Sequence, residues 1–284
     1  MSHNLIKKEH PYKHWQYINC ETGDRLRIVP ERGGLITEWR CNNHEILYFD
    51  LDRFKTKGKS VRGGIPILFP ICGDLTGDLL QLPQGKFQMN QHGFARDMPW
   101  KINALSLESG FSLELTDTEK SRASFPFLFL IKIQVKLNNN TLVMKTLVYN
   151  RGREKMPFSF GLHPYFQVNN LENVVIKGLP EICTNHEDMS VTSTNSQLSR
   201  LSDGVDFLTY SNGSVSLIDE DNGASIEMQN QYPMDLSVFW TDPPRKMVCM
   251  EPWTGPRGAL LNGNRMLVLE PGKSQELICR FVSN

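Results

Sequence analysis

Apolar and polar residues alternate most clearly between residues 127 and 149. In LIKIQVKL, Ile131, Ile133, Val135 and Leu137 alternate with Lys132, Gln134 and Lys136. A period of two gives a strand one apolar and one polar face. Asn138, Asn139 and Asn140 follow, and asparagine tolerates the left-handed backbone of a turn. TLVMKTLVYN then runs back, so the pair predicts a hairpin. The same pattern recurs in RLRIV (25–29), FSLELT (111–116), SVSLID (214–219) and ASIEM (224–228). DEDNGA (219–224) reads as a hairpin turn, and LVLEPGKSQELICRFV (267–282) as a final hairpin around Pro271 and Gly272. No segment sustains an apolar stripe of helical period. Many short strands separated by turns predict an all-β sandwich or barrel. The polar stretch 190–204 reads as a surface excursion. With no repeat and no low-complexity linker, residues 1–284 are expected to form one large β domain.

Composition narrows the class. At 39% hydrophobic and 22% charged residues, the chain reads as globular rather than disordered. Its 284 residues can bury a core without disulfide or metal staples. Lysine plus arginine equals aspartate plus glutamate at 31 each, so no overall positive field exists to draw nucleic acid. The longest apolar runs, IPILFPIC (65–72) and FPFLFLI (125–131), are too short for a membrane helix. The opening MSHNLIKKEH lacks the apolar core of a secretion signal. The cysteines at 20, 41, 72, 183, 249 and 279 form no CxxC pair. They are expected to be buried free thiols in a reducing cytoplasm. With no compact Cys/His cluster, a zinc site is not expected.

Four stretches break the strand pattern and concentrate chemistry. RGGIPILFP (62–70) follows Arg62 with two glycines that allow close approach of a ligand; its plain reading is a structural turn beside a surface arginine. QHGFARDMPW (91–100) combines His92, Gly93, Arg96 and Trp100, which suits a corner that holds a polar ligand. Read blandly, its histidine is structural. In FGLHPYF (160–166), His163 sits among aromatic residues, where desolvation favours the neutral imidazole; it fits proton transfer and a core hydrogen bond equally. In VCMEPWTGPRGAL (248–260), Glu251 ends an apolar run, and a buried carboxylate is costly unless paired or used. Desolvation would make it a better base. Its plain alternative is an ion pair with Arg257.

Spacing alone does not bring these residues together. The set resembles the galactose mutarotase-like superfamily, the aldose 1-epimerases, and is most like the hexose-6-phosphate mutarotase branch. RGGIPILFP, QHGFARDMPW, GLHPYF, GVDFL (204–208) and VCMEPWTG carry the resemblance and occur in the family's order, over roughly residues 60 to 255. HGFAR with its later tryptophan is fairly specific, and LH-x-YF followed much later by EP strengthens it. The resemblance implies a large, twisted antiparallel β-supersandwich with a groove on one sheet. It implies His163 as general acid and Glu251 as general base. It implies His92 and Asp206 as sugar ligands, with Asp203 a rival for the second, and Arg62 and Arg96 as substrate or phosphate ligands. Trp253 is expected to offer a stacking surface. The run ILFPICGDL after Pro66 departs from the branch and bears on substrate identity.

The implied reaction opens a hemiacetal. One group takes the C1 hydroxyl proton, another protonates the ring oxygen, and no cofactor is needed. The expected partner is a small-molecule sugar or sugar phosphate, without nucleic acid or membrane. The alternative is a carbohydrate-binding protein that keeps the groove without turnover, although binding alone needs no acid and base. Glycoside cleavage or a lyase reaction would call for a different arrangement, such as two carboxylates flanking a bond.

Overall fold

The computed structural model describes residues 3–56, 58–105, 110–211 and 213–284. Two eight-stranded sheets dominate it. The first runs, in spatial order, Val174–Lys177, Val215–Asp219, Ala224–Asn230, Ser274–Ser283, Thr141–Asn150, Phe129–Asn138, Phe111–Thr116 and Lys101–Ala104. Its pairings are antiparallel throughout. The alternation read in the sequence appears here as strict burial of every second residue along Phe129–Asn138. Asn139 takes the left-handed backbone that closes this hairpin onto Thr141–Asn150. The DEDNGA turn closes another, between Val215–Asp219 and Ala224–Asn230.

The second sheet positions the site. Its order is Val191–Ser193, Ile182–Asn185, Asp206–Tyr210, Leu236–Trp240, Met247–Trp253, Gly161–Leu162 and Ile67–Leu68. Tyr165–Gln167 also pairs with Met247–Trp253. Phe207, Phe239, Val248 and Met250 of this sheet share one buried cluster with Ile133, Val135, Met228 and Phe281 of the first. Phe166 and Phe281 meet across the gap with ring centroids 5.5 Å apart. Each such side chain stabilises the fold by about 1.5–3 kcal/mol relative to exposure. A five-stranded sheet, from His3–Lys8 to His44–Glu45, adjoins them, bridged through Ile36 and Ile65.

Three expectations need correction. The last segment is no hairpin. Leu267–Leu269 pairs with Met156–Phe158, whereas Ser274–Ser283 lies between Thr141–Asn150 and Ala224–Asn230. The turn at Pro271 and Gly272 changes sheets: Leu267–Leu269 takes Met156–Phe158 as its partner, and the Asn150 side chain donates to the Leu269 carbonyl at 2.8 Å. Stretch 190–204 is not merely an excursion. It supplies the edge strand Val191–Ser193 and the helix Thr194–Leu198, with Thr194, Gln197 and Leu201 buried. Cys20 is exposed, while the other five cysteines are buried; all six are free. Among the described residues no helix is long and apolar enough to cross a membrane.

Candidate active site

Met247–Trp253 is buried along its whole length, because both of its faces are covered. Val248 and Met250 point into the shared core. Cys249, Glu251 and Trp253 alternate with them and point the other way. Antiparallel register sets Glu251 beside Val238, Cys249 beside Trp240, and Trp240 beside Asp206. Side chains far apart in sequence thereby meet over one sheet face, around a cavity of about 230 Å³. Arg62, His92, Arg96, His163, Asp206 and Glu251 all line it, together with Gln91, Tyr165, Val238, Trp240, Trp253 and Arg257. The rival Asp203 is exposed on the turn before Asp206–Tyr210 and lies off the cavity.

Glu251 and His163 face each other, with Oε1 and Nε2 3.4 Å apart. Burial pushes the Glu251 carboxyl well above its ordinary range, and the nearby Asp206 charge adds to the effect. The Trp253 indole N–H opposes this by donating to Glu251 Oε2 at 3.1 Å. His163 is held down to about 3, chiefly by burial and next by the Arg96 charge. Its ring stacks on Tyr165 with centroids 4.8 Å apart and planes at 12°. The sequence alternative of a Glu251–Arg257 ion pair is not what forms. Arg257 instead donates to Asp206 Oδ2 at 2.6 Å and to Asp74 Oδ1 at 3.3 Å. Burial works against the Asp206 charge, but a hydrogen bond from His186 and the charges of His186 and Arg257 outweigh it and hold the carboxyl below its ordinary range.

The QHGFAR corner is built by backbone geometry. Gly93 has φ 72°, and a Cβ there would collide with the Phe69 carbonyl. His92 also has a positive φ, and its N–H donates to the Gly73 carbonyl at 2.6 Å. The Gly73 N–H in turn donates to His92 Nδ1 at 3.0 Å. A neutral imidazole that accepts at Nδ1 carries its proton on Nε2. Burial, reinforced by the charge of His163, keeps His92 neutral by pushing its pKa well down. Its free N–H is thus a donor for a ligand. Trp100 stands behind the corner, buried, donating to the Ala95 carbonyl at 2.9 Å.

Arg62 and Arg96 are only loosely paired. Arg62 lies 3.8 Å from Asp242 and over the Trp240 ring, and Arg96 lies 3.9 Å from a largely exposed Asp97. Arg96, His163 and Tyr165 also form the wall of an adjoining cavity of about 360 Å³, whose other lining includes Arg32, Lys59 and Ser60. Trp253 corrects an expectation. It is 1% exposed, so it serves Glu251 as a hydrogen-bond donor instead of offering an open stacking face. Sequence reading missed Trp240, Tyr165 and His186, and it had Arg257 with another partner. The contacts of Trp240, His186 and Arg257 span tens of residues and leave no local pattern, whereas Tyr165 lies only two residues from the His163 it stacks on.

His163, Cys249 and Glu251 are the one group of three potential metal donors among the described residues, with donor atoms within 4.8 Å of one another. Burial holds the Cys249 thiol well above its ordinary range.

Named strands that pair antiparallel, with a buried carboxylate–imidazole pair in a polar pocket, define a site suited to acid–base chemistry on a small polar molecule. The family model of aldose 1-epimerase matches residues 18–281, so this chain belongs to that family. Its fold is the β-supersandwich of galactose mutarotase-like proteins. A galactose mutarotase related enzyme from Lactobacillus acidophilus superposes with a TM-score of 0.80 at 22% identity, covering 95% of this chain and 97% of that one. The Slr1438 protein from Synechocystis sp. PCC 6803 superposes with a TM-score of 0.91 at 32% identity over 100% of this chain and 99% of its own. A protein of Cenchrus ciliaris provisionally named glucose-6-phosphate 1-epimerase is 29% identical over 159 residues, which is 52% of this chain and 45% of that protein. The chain thus spans about half the length of the first curated relatives it matches.

Proposed function

We propose that this chain is a cytoplasmic aldose 1-epimerase, acting as one domain, that interconverts the anomers of a hexose by general acid and base catalysis. The observation that carries this reading is the buried His163–Glu251 pair, 3.4 Å apart, in a cavity otherwise lined with hydrogen-bonding groups. Glu251 takes the proton of the C1 hydroxyl. His163 gives a proton to the ring oxygen as the C1–O5 bond breaks and its electron pair moves to that oxygen. The aldehyde turns about C1–C2 and closes on its other face, with both transfers reversed. Across ring opening the pair passes from imidazolium and carboxylate to imidazole and carboxylic acid. Burial favours the neutral pair, so the pocket favours the protonation state that accompanies the open aldehyde. Each positioned transfer typically contributes 10²–10⁴-fold in rate. Asp206, Arg257 and the His92 Nε2–H hold hydroxyls and fix the sugar against the pair.

We read the substrate as a hexose 6-phosphate in preference to the free sugar. Arg62 and Arg96 line the cavity, and a guanidinium holds phosphate through paired charge-assisted hydrogen bonds. C6 branches from the carbon next to the ring oxygen that His163 protonates. His163 and Arg96 both border the adjoining cavity with Arg32 and Lys59, which supplies cations beside that branch. The test is anomer exchange followed by NMR with glucose, galactose and glucose 6-phosphate. Enzyme-dependent exchange is expected for glucose 6-phosphate, faster per molar substrate than for either free sugar. Saturable sugar binding without accelerated exchange would instead identify a carbohydrate-binding protein.

A further inference from the structure

His186 does not line the reaction cavity, yet it touches two residues that do, Asp206 and Trp253. It follows the strand Ile182–Asn185 in a tight turn, where the Glu187 N–H donates to Asn185 Oδ1 at 3.0 Å. The side chain is 1% exposed. Two hydrogen bonds join it to Asp206. Its backbone N–H donates to the Asp206 carbonyl at 2.8 Å, and its Nδ1 lies 2.7 Å from Asp206 Oδ1. A bond to an ionised carboxylate puts the proton on that nitrogen. The other Asp206 oxygen accepts from Arg257, so both oxygens have fixed directions. The same imidazole stacks on the Trp253 indole, with centroids 6.0 Å apart and planes at 22°. That indole carries the N–H that donates to Glu251.

We propose that His186 is a positioning residue that sets Asp206 and Glu251 in one geometry, Asp206 by its hydrogen bond and Glu251 through the ring of Trp253. This rests on the epimerase reading above. A hydrogen bond to one arm and a ring face to the other mean that two substitutions separate the effects. His186→Phe keeps a ring against Trp253 and removes the N–H donor. His186→Asn keeps a donor at nearly the position of Nδ1 and removes the ring.

With steady-state anomer exchange as the assay, His186→Phe is expected to raise KM about tenfold with kcat within about threefold, the scale of losing one hydrogen bond to a charged group. On an Asp206→Asn background it should raise KM no more than about twofold further, because both changes remove one interaction. His186→Asn should leave KM within about twofold and lower kcat about tenfold. Wild-type kcat and KM in both folded variants, or an undiminished effect of His186→Phe on the Asp206→Asn background, overturns the proposal. A readout independent of turnover is the indole N–H resonance of Trp253, assigned by its loss in Trp253→Phe. Asp206→Asn should move it, and should move it less on the His186→Phe background, because the Asp206 charge also reaches Glu251 without His186; an unmoved signal, or a shift undiminished in His186→Phe, overturns the proposal. If the wild type exchanges no aldose, the epimerase reading falls, and the indole signal still decides the role of His186.

Discussion

Glu251 shows how a single residue is tuned by opposing forces. Burial and the Asp206 charge raise its pKa, while the Trp253 N–H stabilises the ionised form and lowers it. Trp253→Phe removes only the lowering contribution. Because Glu251 holds its proton more tightly than His163, the form with both groups charged is the minor singly protonated one, so the falling limb of kcat/KM against pH follows Glu251 and should move to higher pH in this variant. At neutral pH the rate should fall roughly tenfold, the scale of one hydrogen bond to a charged group, because the doubly charged form becomes rarer. A limb that stays in place would show that the indole does not tune the base. His163 and Glu251 stand out as ionisable residues embedded in apolar sequence, while their roles as acid and base come from the family resemblance, since the residues alone leave structural readings open. Arg257 and His186 were not legible in that way. Each owes its place to Asp206, 51 and 20 residues away respectively, and no local periodicity encodes such a contact.

At the scale of elements, local pattern and tertiary choice separate cleanly. Phe129–Asn138 and Thr141–Asn150 were legible because alternation and an asparagine turn act within one segment. Leu267–Leu269 was misassigned because a Pro-Gly turn specifies a change of direction but not the strand's eventual partner. The strand His44–Glu45 supplies a stability prediction. Glu45 accepts the N–H groups of Trp39 and Leu47, and its carboxyl is raised from 4.5 to about 8, first by burial and then by the Glu38 charge. The folded chain therefore keeps a proton that the unfolded chain releases, and this contribution declines as pH rises from about 4.5 to about 8. Glu45→Gln keeps the acceptor and removes the titration. The urea midpoint of the wild type relative to Glu45→Gln should fall across that window. A difference that stays flat with pH would show that Glu45 ionises normally in the folded chain.

For the whole molecule, balanced charge makes the cations of the site a local feature. Arg62 and Arg96 line the reaction cavity, and Arg32 and Lys59 line its neighbour, in a chain with as many acidic as basic residues. A preference for glucose 6-phosphate over glucose in kcat/KM should therefore shrink about tenfold or more in Arg96→Ala, and weaken in the wild type as salt rises. A preference untouched by both changes would remove the phosphate reading and leave the epimerase reading standing. The central claim is that the His163–Glu251 pair moves the protons of ring opening. Its most direct test is NMR exchange between the two anomers of glucose 6-phosphate, with wild type and Glu251→Gln side by side and sugar affinity measured by calorimetry. The amide is nearly isosteric but takes no proton from the C1 hydroxyl. Exchange should fall by about 10²–10⁴-fold while affinity stays within a few-fold of wild type. Near-normal exchange in Glu251→Gln would contradict the account.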